Sequence, residues 1–136
     1  MYAIKAEITD PDAKAWTFEN QKTMYGGKRI GKGDDIFVFA SENEGGSGLV
    51  AMGIVTAVTA TPRKVDIERQ TPRVTIVVSR TGSTRRHLGR SELRAFGDWD
   101  DGRPETELNF KFYRQATNKI VGLSEAAVAF LHGYFR

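Results

Sequence analysis

The chain of 136 residues has no cysteine, two histidines and four prolines. Without thiols, disulfides and thiolate metal sites are excluded. His87 and His132 stand far apart and give no metal-ligand spacing, so neither a metal site nor a cofactor is expected. No window approaches the roughly 18 consecutive apolar residues of a membrane span. The opening Met1-Tyr2-Ala3-Ile4-Lys5-Ala6-Glu7 lacks the basic and long apolar regions of a signal peptide, so a cytoplasmic location is expected. Catalytic signatures are also scarce. There is no nucleophile–base motif and no glycine-rich phosphate loop. The acid pairs Asp34-Asp35 and Asp100-Asp101 fall in turn-like segments, where acids serve the local backbone. The expectation is a protein that is not an enzyme. His87 is expected exposed within a basic run, and His132 either packed or solvent-facing in the last helix.

What is present is ordinary for a globular domain: 40% hydrophobic and 27% charged residues. Without repeats or low-complexity segments, residues 1–136 read as a single domain long enough to bury a core. The net charge of +3 is unevenly spread. Arg63 to Arg94 holds nine Lys/Arg and three Asp/Glu, whereas Asp98 to Glu107 holds five acids and one Arg. The basic stretch suits a phosphate backbone; solvated strand edges and loops are the alternative.

The chain is organised around Arg29 to Val58. Gly31-Lys32-Gly33-Asp34-Asp35 is a turn, and Ile36 to Ala40 is an apolar run of strand length. Ser41 to Gly48 is loop chemistry, and Leu49 to Val58 resumes as a strand. This predicts a hairpin at the centre of a barrel-like sheet, with Gly53 marking a bulge or a close backbone approach. Tyr2 to Ile8 is read as an opening strand with Ile4, Ala6 and Ile8 on one face and Lys5 and Glu7 on the other. Asp10 is expected to cap a short helical turn through Ala13 to Trp16. Trp16 to Gly27 is read as a loop or broken helix over the mouth of the sheet. Thr59 to Thr71 is read as a strand continuation and an exposed loop. Pro72 to Arg80 follows as the strongest strand, and Thr81 to Arg86 as a basic turn. Ser91 is expected to cap a short helix ended by Gly97, and Asp98 to Pro104 to form a polar loop. Leu108, Phe110 and Phe112 alternate with polar residues, which predicts a strand; a helix through Tyr113 to Ala116 is the alternative. Lys119 to Gly122 reads as a last short strand. Ser124 is expected to cap a C-terminal helix with Val128, Leu131 and Phe135 on one face.

These pieces, in this order, resemble a known family. They are Ile4-Lys5-Ala6-Glu7; Lys32-Gly33-Asp34-Asp35 leading through Ile36 to Ser41; Gly53-Ile54-Val55; Arg114-Gln115; and Lys119 to Ser124. Together they resemble the EVE domain of the PUA-like superfamily, which is related to YTH and ASCH domains. Tyr25-Gly26-Gly27-Lys28-Arg29-Ile30 stands where the family has Trp-x-Gly-Val-Arg-Asn, without the Asn. The resemblance implies an α+β fold, a PUA-like mixed β pseudo-barrel with flanking short helices. It also implies a non-catalytic partner of DNA or RNA, with a pocket for one flipped base, modified or not.

Such a pocket needs flat faces for stacking and a few groups that read a base edge. Trp16, Phe18, Tyr25 and Trp99 are candidate stackers because they lie in polar or loop-like segments; each could instead fold back onto the core. The resemblance favours a pocket-facing Lys5, where a solvated strand face is the plain reading. Ser41 and Asn43 follow the central strand and could bond a base edge or merely satisfy the turn. Arg114 and Asn118 flank apolar segments and could supply donors, and Arg114 could instead pair with Glu7. Lys28, Arg29, Arg85 and Arg86 are the candidates for phosphate contact. A module for protein or small-ligand binding on the same fold, without nucleic-acid affinity, is the alternative function.

Overall fold

Side-chain alternation along the first strand already divides the molecule into two cores. A computed structural model describes residues 1–61, 73–98, 101–115 and 117–135. Strand β1 (Tyr2–Ala6) turns Ile4 and Ala6 into one apolar cluster and Ala3 into another. Lys5, by parity, shares the face of Ala3. β1 pairs in parallel with β3 (Asp35–Ala40), which pairs antiparallel with β4 (Gly48–Ala60). β5 (Arg73–Ser83) lies between β4 and β2 (Ala15–Met24), antiparallel to both. The short β6 (Lys119–Gly122) closes the barrel, antiparallel to β1 and parallel to β2.

The first cluster fills the barrel, with Ile4, Trp16, Phe18, Val38, Ile76 and Ile120 among its members. The second lies between the outer wall and three helices: α1 (Arg90–Leu93), α2 (Pro104–Phe112) and α3 (Glu125–His132). There Phe37, Phe39 and Val121 of the sheet meet Leu93, Leu108, Phe112 and Leu131 of the helices. β3 is therefore covered on both faces, which is why Ile36 to Ala40 is an unbroken apolar run. The predicted central hairpin is β3–β4. A Cβ on Gly53 would stand 2.5 Å from the Ser79 carbonyl oxygen, at a shift in the β4–β5 register, so the predicted close approach is present. Ser124 caps α3, its hydroxyl accepting from the Ala127 amide at 3.2 Å. No described helix is long and apolar enough to cross a membrane.

Several expectations are corrected. β1 ends at Ala6 rather than Ile8, and Lys5 is buried. Trp16 to Met24 is strand, not a loop over the mouth, and Asp10 to Ala13 is a plain turn rather than a capped helix. The periodicity of β2 is hidden by a bulge. Trp16 and Phe18 face inward, the register then shifts before Gln21, and Asn20 takes φ 52°. An inserted residue reverses the inside–outside alternation, so no single period runs through the segment.

The expected strand at Leu108 to Phe112 is helix α2. Pro104 opens it, Glu105 and Glu107 sit in its first turn, and Lys111 bonds Glu107 at 3.0 Å four residues back. Leu108 and Phe112, one turn apart, are buried, while Phe110 is exposed. Three alternating residues fitted a strand by coincidence of length. β5 continues through Thr81, Gly82 and Ser83, which were expected to turn. α1 starts after Gly89, not Ser91. The Glu92 carboxylate accepts the Gly89 amide at 2.7 Å, which orders that helix start, and Ser91 is already inside the first turn. Most of the expected loop Thr59 to Thr71 lies outside the described residues, as does Trp99.

Candidate functional site

The antiparallel ladder between β1 and β6 sets Lys5 opposite Lys119. Both point to the outer wall of the barrel, beneath the end of α2, and both side chains are buried. The Lys5 ammonium donates to the Phe112 carbonyl at 2.6 Å and lies 5.0 Å from the centre of the Tyr113 ring. The Lys119 ammonium donates to the Gln115 and Thr117 carbonyls at 3.0 and 3.1 Å. These are carbonyls at and just beyond a helix C-terminus, which lack intrahelical partners and attract cations.

Burial lowers the pKa of Lys5, opposed by the nearby Glu42 carboxylate. Burial, then the charges of Lys5 and Lys22, push Lys119 down to about 8. Neither ammonium forms an ion pair with a carboxylate among the described residues.

Ser41 directly follows β3, and its amide donates to the Ala6 carbonyl at 2.8 Å, which fixes it beside β1. Its hydroxyl is buried and has no partner among the described residues; nor does the side-chain carbonyl oxygen of Asn118. A buried polar group left unpaired costs about 1–3 kcal/mol, so two such atoms in one neighbourhood are a reason to look for a ligand. The 3₁₀ turn Glu42–Glu44 forms the next wall. Glu42 accepts from the Tyr113 hydroxyl at 3.0 Å and from the Arg90 amide at 2.6 Å. Burial, then Glu42, hold the Tyr113 phenol well above its ordinary range. Glu44 accepts from the Asn118 side-chain amide, and Asn43 from Arg90. A polar cavity of about 400 Å³ opens beside Asn118 and Glu44, bounded by Ala6, Phe18, the β2 bulge and Lys22.

The structure thus brings Lys5, Ser41 and Asn118 together and adds three residues not singled out in the sequence: Lys119, Glu42 and Tyr113. Lys119 had a legible signal, since it shares strand parity with Val121, which packs in the outer core.

The other candidates lie elsewhere. Trp16 is buried in the barrel; its indole N–H donates to the Asp10 carbonyl at 3.0 Å, Phe18 stacks on it at 6.2 Å, and the Arg80 guanidinium lies 4.7 Å from its ring. Tyr25, with φ 52°, is exposed against Phe110 at 5.6 Å. Arg114 lies 5.4 Å over the same Phe110 ring and forms no ion pair with Glu7 or another carboxylate among the described residues. Lys28 and Arg29 are exposed on the 3₁₀ turn Gly27–Arg29. Arg85 and Arg86 are exposed beyond the end of β5. His87 is exposed and bonds Glu92 at 2.8 Å, while His132 packs on Phe37 at 5.3 Å. No group of three metal-ligating side chains occurs among the described residues.

No protein-family model matches the chain. No curated protein matches it at a significant level either. Solved structures do. The DUF55 domain of human thymocyte nuclear protein 1 superposes with a TM-score of 0.64 at 12% identity, over 97% of this chain and 96% of that one. Human THYN1 in complex with 5-methylcytosine-containing DNA gives 0.62 at 13% identity, over 97% and 95%. A Pseudomonas putida protein gives 0.62 at 13% identity, over 98% and 97%. The expected fold is therefore present: a six-stranded, mixed, PUA-like pseudo-barrel with short helices, as in the EVE-type domains that the sequence motifs resemble.

Proposed function

We propose that this protein is a non-catalytic nucleic-acid-binding module that takes one unstacked base into the site built on Lys5, Lys119, Ser41 and Asn118. The observation that carries the reading is the pair of buried, unpartnered polar atoms, the Ser41 hydroxyl and the Asn118 oxygen, next to the buried ammoniums of Lys5 and Lys119, with Asn118 also lining the cavity. Two ammoniums and a hydroxyl offer donors to ring nitrogens and exocyclic oxygens; the Asn118 oxygen accepts from an exocyclic amine. The cavity lies in the size range of small-ligand sites, and Phe18 supplies an apolar wall. A base held there recovers the hydrogen bonds that the two orphaned atoms lack. The shared fold with a protein crystallised on 5-methylcytosine-containing DNA supports the reading and makes that base the first to test. Exposed cations, either Arg85 and Arg86 or Lys28 and Arg29, would hold the phosphates. Tyr25 and Arg114 would meet flanking nucleotides rather than the buried base, and Trp99 remains a candidate stacker.

The test is binding of labelled single- and double-stranded oligonucleotides, plain and 5-methylcytosine-containing, at two salt concentrations, with Ser41→Ala beside the natural chain. Losing one buried hydrogen bond to a ligand predicts about a tenfold weaker affinity for the preferred base, with little change for oligonucleotides lacking it. Absence of binding at low salt would end the nucleic-acid reading. Salt-sensitive binding indifferent to base identity and to Ser41→Ala would leave a basic surface without a base site.

A further inference from the structure

The chain leaving β5 carries Arg85, Arg86 and His87 in succession and is laid along the start of β4. The Thr84 amide donates to the Val50 carbonyl at 3.1 Å, and the Leu49 amide to the Leu88 carbonyl at 2.8 Å. This seam borders a second, open cavity of about 400 Å³, which Pro11, Asp12, Leu49 and Val50 also line. Arg80, Arg85 and Arg86 converge on it, Ser47, Ser83 and Thr84 add hydroxyls, and Asp12 is its one lining carboxylate among the described residues. Two of the arginines are positioned in advance. Arg80 donates to the Ala13 carbonyl and to the Ser83 hydroxyl, each at 2.8 Å, and Arg86 donates to the Gly133 carbonyl at 2.9 Å over the Tyr134 ring. Arg85 is exposed, and its guanidinium has no hydrogen-bond acceptor among the described residues.

One loop separates this groove from the site of Lys5 and Lys119: Ser41 to Gly48, with Glu44 lining the first cavity and Ser47 the second. At the crest of that loop Gly45 has φ 86° and open space around it, while Gly46 packs closely against Ala40. A chain with a regular negative charge can therefore lie in the groove and pass the loop at Gly45, where no Cβ stands in the way.

We infer that this groove holds the phosphodiester backbone of the bound nucleic-acid strand, which passes the loop at Gly45 to present its base at the cavity lined by Asn118. The inference rests on the proposed function and deepens it. Arg80, Arg85 and Arg86 take the phosphates, and Lys28 and Arg29 do not. Guanidiniums with spare N–H groups match phosphate oxygens.

The experiment is fluorescence anisotropy of a labelled single-stranded oligonucleotide carrying the preferred base, across a salt series, with Arg85→Ala, Arg85→Lys, Ser47→Glu and the pair Lys28→Ala and Arg29→Ala. Arg85 and Ser47 are exposed, so these variants keep the fold, which circular dichroism checks. Arg85→Ala should weaken binding and flatten the dependence of log affinity on log salt by about 0.7, the contribution of one phosphate contact on a single strand. Arg85→Lys should restore the slope. Ser47→Glu should weaken binding without altering the preference among bases. If the natural chain binds and discriminates bases while Arg85→Ala and Ser47→Glu bind like it, or if the slope falls only with Lys28→Ala and Arg29→Ala, the groove is overturned and the base site stands. If the natural chain binds no oligonucleotide at low salt, both readings fall.

Discussion

Lys119 ties down the connection that precedes its own strand: its ammonium holds the carbonyl of Gln115, four residues earlier, at 3.0 Å, while the ladder sets it opposite Lys5. The same group thus shapes the chain leaving α2 and supplies half of a buried cationic pair. That double use gives two pH signatures of opposite sign.

The first prediction concerns those signatures. In the fold the Lys119 ammonium has its pKa pushed down to about 8, through burial and then the charges of Lys5 and Lys22, from an ordinary value of 10.5. Between these values the unfolded chain binds more protons than the folded one, so folding stability from this group rises with pH across that window. Affinity for an electron-rich ligand runs the other way: it is full below about pH 8 and declines as the ammonium loses its charge. Urea unfolding from pH 7 to 10 should show a rise that Lys119→Met reduces, the remainder coming from Lys5, whose pKa burial also lowers. Oligonucleotide titrations over the same range should show a fall that is absent in Lys119→Met, which binds weakly throughout.

The second prediction separates core from site. Trp16 is part of the barrel interior, so Trp16→Ala should cost about 3–5 kcal/mol of stability, as large-to-small changes do in cores. The fraction that remains folded should bind ligand with unchanged selectivity. Ser41→Ala should do the reverse, since its buried hydroxyl has no partner to lose among the described residues: stability equal or higher, selectivity reduced about tenfold. Chemical denaturation and oligonucleotide titration of both variants provide the comparison.

The third prediction concerns acid. Glu107 on α2 accepts from the Ser124 amide at 2.9 Å, from the Ser124 hydroxyl and from Lys111 at 3.0 Å. Burial works to raise its pKa, but these hydrogen bonds outweigh it and hold the carboxyl below its ordinary 4.5. A carboxylate with a depressed folded pKa contributes stability that is present above the unfolded value and lost as pH falls through the folded one. Acid unfolding followed by circular dichroism should therefore steepen below about pH 4.5 in the natural chain and flatten there in Glu107→Gln. Ser124→Ala, which also removes the cap of α3, should cost about 1 kcal/mol at neutral pH.

The parts of the fold legible in the sequence were those where one physical signal acted alone. The β3–β4 hairpin reads from an apolar run, a glycine-rich loop and a second run; the cap at Ser124 reads from one hydroxyl before a helical pattern. β2 failed because a bulge at Asn20 reverses its alternation midway, and α2 because Phe110 is an exposed aromatic that imitates a strand's inward position. The same limit applied to the site. Lys5, Ser41 and Asn118 were reachable through motif order. Their neighbour Lys119 carried only its strand parity with Val121 as a signal, and its burial depends on the chain that follows α2 closing over it, a contact that no local pattern encodes.

Closure of the barrel through β6 also has a consequence in time. β6 has four residues, begins at position 119 and is the element that joins β1 to β2. A ribosome makes the chain from its amino end, so β1 and β2 wait with bare hydrogen-bonding edges until nearly nine-tenths of the 136 residues exist. Pairing of such long sequence separation is slow. Lys5 and Lys119 belong to the first and last strands, so no partial product can bring the two together, and their pairing marks a finished barrel.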